Sequence, residues 1–167
     1  MKKLLSLFII AIVFTSCNTS VESEKIAGKW LLDDSRFEKG YMAGDQKDYD
    51  LVKKFLDAYE NMDPQGMVDL SADTVKFHPA DIAGVFDVDM TNTDFIVERQ
   101  SNWDSVSRDY IFIMPLKMED SKNRVVTTAF TETRYVKDGT SESINFYERL
   151  YINEQDQIMR VVQYSRP

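Results

Sequence analysis

The chain has 167 residues, a formal net charge of −8 and 43% hydrophobic residues. This length fits one ordinary domain with a packed core. Because nucleic acids attract basic patches, the acidic balance argues against a nucleic-acid partner. One histidine and one cysteine cannot form a zinc cluster, and neither a phosphate-binding loop nor a dinucleotide fingerprint occurs. The sequence therefore predicts no metal site and no cofactor.

Residues 1–17 predict export. Two lysines are followed by an uncharged, mostly apolar run of eleven residues, then by Thr15, Ser16 and the only cysteine, Cys17. This order is typical of a secretory signal, and a cysteine directly after the small residues resembles a bacterial lipoprotein signal. The apolar run is shorter than the roughly 20 residues that a transmembrane helix needs. A plain secretory signal with an incidental cysteine is the other interpretation.

On the lipoprotein interpretation, residues 1–16 are a cleavable signal peptide and Cys17 carries acyl chains that insert into the lipid bilayer. The protein is then exported and membrane-anchored on the periplasmic or cell-surface side, with the outer membrane as the expected location. Residues 17–47 form a tether and an N-terminal extension. The extension is predicted to contain a short helix from its apolar residues: Ile26, Trp30, Leu31, Leu32 and Phe37.

Residues 48–167 are predicted to form the folded domain, with helices first and strands after. Asp48–Met62 has apolar residues at spacings of three and four, with Asp48 as its N-cap. Shorter helices are predicted at Gln65–Leu70 and Thr91–Trp103. The predicted strands are Thr74–His78, Tyr110–Leu116, Arg124–Lys137, Ser141–Ile152 and Ile158–Tyr164. A run of helices followed by an antiparallel meander indicates an α+β domain.

The order of these features resembles the nuclear transport factor 2-like superfamily, in particular its polyketide-cyclase-like (SnoaL-like) branch. The features are the helix, Asp63, the short helix, the stretch Ala72–Val75, the hairpin at Lys137–Gly139 and the last strand from Ile158. The resemblance implies a curved antiparallel sheet wrapped around the helices, a cystatin-like cone with a pocket between the two. It implies no single activity, because one fold hosts many functions.

Ketosteroid isomerases of this superfamily use a carboxylate base and an oxyanion hole made of a tyrosine and a neutral acid. Matched onto this chain, the tyrosine position is Phe55, the base position is Phe77 and the acid position is Glu148. Phenylalanine neither donates nor accepts a proton. The resemblance therefore implies that this chain is not an isomerase of that kind.

Two residues are candidates for acid–base chemistry. Glu148 shares its strand phase with apolar neighbours, so we expect it to be buried with a raised pKa. The alternative is a structural ion pair with Arg134, Arg149 or Arg160. His78, the only histidine, titrates near neutral pH but lies out of phase with Phe77 and is expected to point away from the pocket.

The resemblance also implies a lining for the pocket. The expected residues are Phe55, Tyr59, Phe77, Thr131, Thr133, Tyr135, Glu148, Val161 and Gln163. A mostly apolar pocket with a few polar groups is the usual form of a small-molecule site. The other interpretation is that these side chains fill the cone completely.

Three functions remain open at this point. The first is binding of a small apolar or amphipathic ligand, or of a protein partner, without catalysis. The second is a cyclase, isomerase or dehydratase that uses Glu148 as acid or base. The third is an interaction module that forms a homodimer through the outer face of the sheet, where the expected residues are Val126, Thr128, Phe130, Asn145, Tyr147 and Tyr151.

Overall fold

The computed structural model describes residues 25–122 and 124–166. The predicted signal peptide, Cys17 and the start of the tether lie outside these residues. The elements are β1 (Ile26–Lys29), β2 (Gly40–Ala43), α1 (Gln46–Glu60), α2 (Pro64–Asp69), β3 (Ser71–His78), β4 (Phe86–Asp89), α3 (Asp94–Gln100), β5 (Trp103–Met118), β6 (Arg124–Val136), β7 (Ser141–Ile152) and β8 (Ile158–Arg166). Within the described part, none of the helices has the length and apolar character needed to span a membrane.

All eight strands form one curved sheet in the order β1-β2-β5-β6-β7-β8-β3-β4. Neighbouring strands run antiparallel except β3 and β8, which run parallel. The helices cover the concave face, where the core of the domain lies between α1 and the sheet. The predicted α+β class with a curved sheet wrapped around helices is confirmed.

Helix α1 packs on the sheet because its apolar residues recur on one face. Val52, Leu56 and Tyr59 are buried at the spacing of three and four that brings side chains onto one side of a helix. The prediction of Asp48 as the N-cap is wrong, because the cap position is Asp45. Asp48 lies in the first turn, buried, and accepts a 2.9 Å hydrogen bond from Nη1 of Arg124.

The turn between α1 and α2 is fixed by Asp63. Its Oδ1 accepts a 2.9 Å hydrogen bond from the Gly66 backbone N–H, which caps α2, and Pro64 occupies the first helical turn. A Cβ on Gly66 would collide with the Asp63 carboxylate. The short helix α2 that follows this turn leads directly into β3, which begins at Ser71.

The N-terminal extension differs from its prediction. Instead of a short helix it forms β1 and β2, because β2 pairs with the otherwise free edge of β5 over Tyr41–Ala43. The apolar side chains of the connecting loop remain outside the core, with Leu31 76% and Leu32 63% exposed. The strand conformation of this segment is therefore determined by backbone pairing with β5 and not by burial of an apolar face.

Candidate ligand pocket between the helices and the sheet

A small cavity remains between the helices and the concave face of the sheet. It has a volume of about 70 Å³ and is mostly apolar; we call it the inner cavity. Six of the expected residues line it: Phe55, Tyr59, Phe77, Glu148, Val161 and Gln163. The cone is therefore not completely filled, although the space is far smaller than the roughly 300–1,000 Å³ of a site for a drug-sized molecule.

The inner cavity adjoins a larger, open depression of about 420 Å³, which we call the mouth. Phe95, Arg99 and Arg134 line both spaces, whereas Trp103 lines the mouth but not the inner cavity. These side chains come from α3, the start of β5 and the end of β6, and they form the rim between the buried space and solvent.

The expected pocket face of β6 is wrong. Thr128 pairs with Glu148 across the sheet, and directly paired residues point to the same side of a sheet. The even-numbered residues of β6 therefore face inward. The odd-numbered residues of the prediction lie on the outer face: Thr131 hydrogen-bonds Asn145, Thr133 hydrogen-bonds Ser143, and Tyr135 is 45% exposed.

The same shift of phase corrects the expected outer face. Val126, Thr128 and Phe130 were expected there, but all three are fully buried. Tyr147 does lie on the outer face as expected: it is 42% exposed, and its ring centroid lies 6.4 Å from that of Phe112 and 6.2 Å from that of Tyr164.

Sequence reasoning missed a buried ion network on the inward face of β6. Nε and Nη2 of Arg108 donate to Oε2 of Glu132 at 2.8 and 2.6 Å, and Nε of Arg134 donates to Oε1 at 2.6 Å. Burial alone would raise the pKa of Glu132, but the charges and hydrogen bonds of the two arginines outweigh it and lower the pKa. The carboxylate is therefore ionised and held from both sides. The signal in the sequence was the phase that Glu132 and Arg134 share with Phe130.

Aromatic rings hold the two arginines of this network in place. The guanidinium carbon of Arg108 lies 4.5 Å from the ring centroids of both Tyr59 and Phe130, and that of Arg134 lies 4.8 Å from the Trp103 ring. Flat cations stack favourably on such rings. The network therefore forms a rigid, polar wall on one side of the inner cavity.

Glu148 lies apart from this network. It is 2% exposed, and its Oε1 accepts a 2.6 Å hydrogen bond from Nε2 of Gln163. Burial raises the pKa of Glu148, and the charge of Arg108 and the Gln163 hydrogen bond oppose that shift only in part. Across residues 25–122 and 124–166, no arginine forms an ion pair with it: Arg134 pairs with two other carboxylates, and Arg160 stacks on a tyrosine.

His78 lies outside the pocket. It ends β3 and lines a separate surface groove with the loop that follows Pro79. Partial burial lowers its pKa, and the positive charges of Arg160 and Lys76 lower it further. The described residues contain no group of histidine, cysteine and acidic side chains arranged as metal ligands.

Comparison with known proteins finds no matching family model and no similar curated protein. Solved structures do match. A protein described as a SnoaL-like polyketide cyclase from Shewanella denitrificans is 8% identical, with a TM-score of 0.56 over 73% of this chain and 92% of the other. An NTF2-like protein of unknown function from Burkholderia pseudomallei is 12% identical, with a TM-score of 0.55 over 73% and 92%.

A third structure, an epoxide hydrolase of M. tuberculosis described as LEH-like, is 12% identical, with a TM-score of 0.55 over 72% of this chain and 83% of that one. These structural similarities establish the fold, while sequence identities this low leave the activity open. The chain therefore has the nuclear transport factor 2-like fold, as the resemblance implied.

Proposed function

We propose that the protein binds a small, largely apolar molecule in the inner cavity without transforming it, and that acylated Cys17 holds it at a membrane. The observation that carries the proposal is the lining of the cavity. Apolar side chains of α1, α3, β3 and β8 surround it, and most of its polar side chains are bonded to one another. Such a lining is typical of small-molecule sites.

The two phenylalanines argue for binding over catalysis. Phe55 and Phe77 both line the cavity, at the positions where the resemblance places the tyrosine and the base of a ketosteroid isomerase. Neither side chain can transfer a proton. Proton transfer by a positioned side chain contributes roughly 10²–10⁴-fold to catalysis, so a site without these groups favours retention of a ligand.

Calorimetric titration with hexanol, a neutral short-chain probe, tests the proposal on the full chain in non-ionic detergent, against a detergent blank. Hexanol should bind the native chain, and Val161→Phe should abolish binding because Val161 lines the inner cavity. Val97→Phe is the matched control, since Val97 is 50% exposed on α3. Equal binding by both variants would overturn the proposal.

A second candidate function is acid catalysis by Glu148. It is favoured by the burial of this carboxyl without an ion pair to Arg134 or Arg160, and by the LEH-like epoxide hydrolase among the similar structures. A protonated Glu148 could donate its proton to the epoxide oxygen as the ring C–O bond breaks and a water molecule attacks the ring carbon. A proton lost from that water then restores the protonated glutamic acid. Turnover of epoxyhexane that is lost in Glu148→Gln and kept in Glu142→Gln would establish this function; no turnover by the native chain would exclude it for this substrate.

Membrane attachment is tested separately by fractionation of bacterial cells. The native chain should sediment with membranes and need detergent for release, while Cys17→Ser should leave the membrane fraction, because removal of the acylated side chain removes the anchor. Ser23→Ala is the control and should behave as the native chain. Retention of Cys17→Ser in the membrane would contradict acylation as the means of attachment.

A further inference from the structure

The charge of the pocket is opposite to that of the protein. Three arginines line the inner cavity, Arg99, Arg108 and Arg134, against two carboxylates, Glu132 and Glu148. Burial disfavours the ionised form of Glu148. The lining is therefore net positive, although the chain as a whole has a formal charge of −8. Low-dielectric walls concentrate such a field inside a cleft.

Two of these arginines already have partners. Arg108 and Arg134 each bind one oxygen of Glu132, and Arg134 also contacts Glu142 at 3.2 Å. Arg99 differs: its guanidinium carbon lies 5.2 Å from the centroid of the Phe77 ring. In the part of the chain that the structure describes, its side chain forms neither a hydrogen bond nor an ion pair. Arg99 is therefore the cation of the pocket that forms no ion pair, although its charge also acts to lower the pKa of Glu148.

The last turn of α3 places Arg99 at the boundary between the two spaces. The neighbouring Gln100 is buried, and its Nε2 donates a 2.9 Å hydrogen bond to the backbone carbonyl of Tyr59 on α1. This bond fixes the end of α3 against α1. The half-buried Arg99 consequently lines both the inner cavity and the mouth, where it can meet a charged group that enters from solvent.

Trp103, which lines the mouth, carries a second donor without a partner. The indole Nε1 of Trp103 is buried and has no hydrogen-bond partner among the described residues, and an unpaired buried donor costs about 1–3 kcal/mol. Asp81 and Glu98 also line the mouth, but both are exposed, and solvent and salt screen exposed charges. The buried side of the mouth therefore offers donors and positive charge, while its carboxylates face water.

We propose that the pocket selects a small carboxylate with an apolar body, whose anionic end binds Arg99 in the mouth and whose apolar end enters the inner cavity. This inference rests on the proposed binding function and adds the charge of the ligand. Charge-assisted hydrogen bonds from arginine to carboxylate are stronger than neutral ones. The small volume of the inner cavity limits the apolar end to a short chain.

Three probes with the same six-carbon body test the inference: hexanoate, hexanol and hexylamine, titrated into the full chain in non-ionic detergent. Hexanoate should bind at least about tenfold more tightly than hexanol, as expected for one charge-assisted contact, and hexylamine should bind most weakly. Arg99→Gln should remove the preference for hexanoate over hexanol. Arg99→Lys should keep most of the preference because it keeps the charge.

Arg166→Gln is the matched control, since Arg166 is exposed at the end of β8 and does not line the pocket. Equal binding of hexanoate and hexanol, unaffected by Arg99→Gln, would overturn the inference and leave the proposed binding function standing. A preference for hexylamine would also overturn the inference, because it would show that the carboxylates of the pocket, and not Arg99, determine the charge of the ligand. Failure of all three probes to bind would overturn the binding function and the inference together.

Discussion

The two faces of β6 distribute polar chemistry in opposite ways. The outward face carries hydroxyl groups that bond to one another across strands, as Thr133 does with Ser143. The inward face carries a carboxylate and a guanidinium, Glu132 and Arg134, packed beside the fully buried Phe130. The comparison teaches that full charges can be placed inside this domain where a counter-charge is packed directly against them.

The largest effect that tests this comparison is expected from Glu132→Gln. The substitution leaves Arg108 and Arg134 buried without their shared counter-charge, and breaking a buried ion pair typically costs about 3–5 kcal/mol. We expect a loss of that size in the free energy of unfolding, measured by urea denaturation. Thr133→Val, the neighbour on the outward face, is the control and should change stability by less than about 1 kcal/mol. Similar losses in both variants would remove the distinction between the faces.

An intermediate effect is expected in the pH dependence of Glu148→Gln. Because the folded-state pKa of Glu148 is raised above its ordinary value of 4.5, the folded protein binds this proton more tightly than the unfolded chain. Stability from this group is present below about pH 4.5 and falls as pH rises through the folded-state pKa. Glu148→Gln should therefore become more stable relative to the native chain as pH rises from 4 to 8, measured by denaturation at each pH.

Glu132 supplies the comparison, because its pKa is lowered from 4.5. Its contribution is present above pH 4.5 and falls as pH decreases through the folded-state pKa. The deficit of Glu132→Gln should accordingly shrink in acid. Parallel pH profiles for the two substitutions would contradict the assignment of one ionised and one proton-retaining carboxyl.

The smallest effect is expected from Thr131→Val on the outward face. Its hydroxyl bonds Asn145 at an exposed position, so stability should change by less than about 0.5 kcal/mol and hexanol affinity should not change. Unfolding and calorimetric titration of this variant measure both quantities. A loss of hexanol binding would indicate that Thr131 lines the pocket after all, as the sequence analysis expected.

Local patterns allowed part of this fold to be predicted. The periodicity of α1 is carried by its own residues, and the turn at Asp138–Gly139 follows from a glycine with a φ of +86°. Glu148 likewise alternates in phase with the apolar residues of its own strand, and this pattern predicted its place in the pocket. In each case the deciding information lies within a few residues of the feature itself.

The remaining features depend on residues distant in the chain. The phase of β6 was misjudged because Glu132 and Arg134 appear polar, and the partner that permits burial, Arg108, belongs to β5. The strand β2 was missed for a similar reason, since it forms only against the edge of β5. Arg99 was not considered because its place in the pocket depends on the packing of α3 against α1.

The position of β1 at the edge of the sheet has a mechanical consequence. All four of its residues are exposed, and β2 joins the sheet through three residue pairs with β5, whereas β5 and β6 are paired along most of their lengths. Tension transmitted through the residues before Lys25 would load these few hydrogen bonds one after another. The β1–β2 hairpin would separate from β5 first. The strands around the pocket would keep their shape while this hairpin opened.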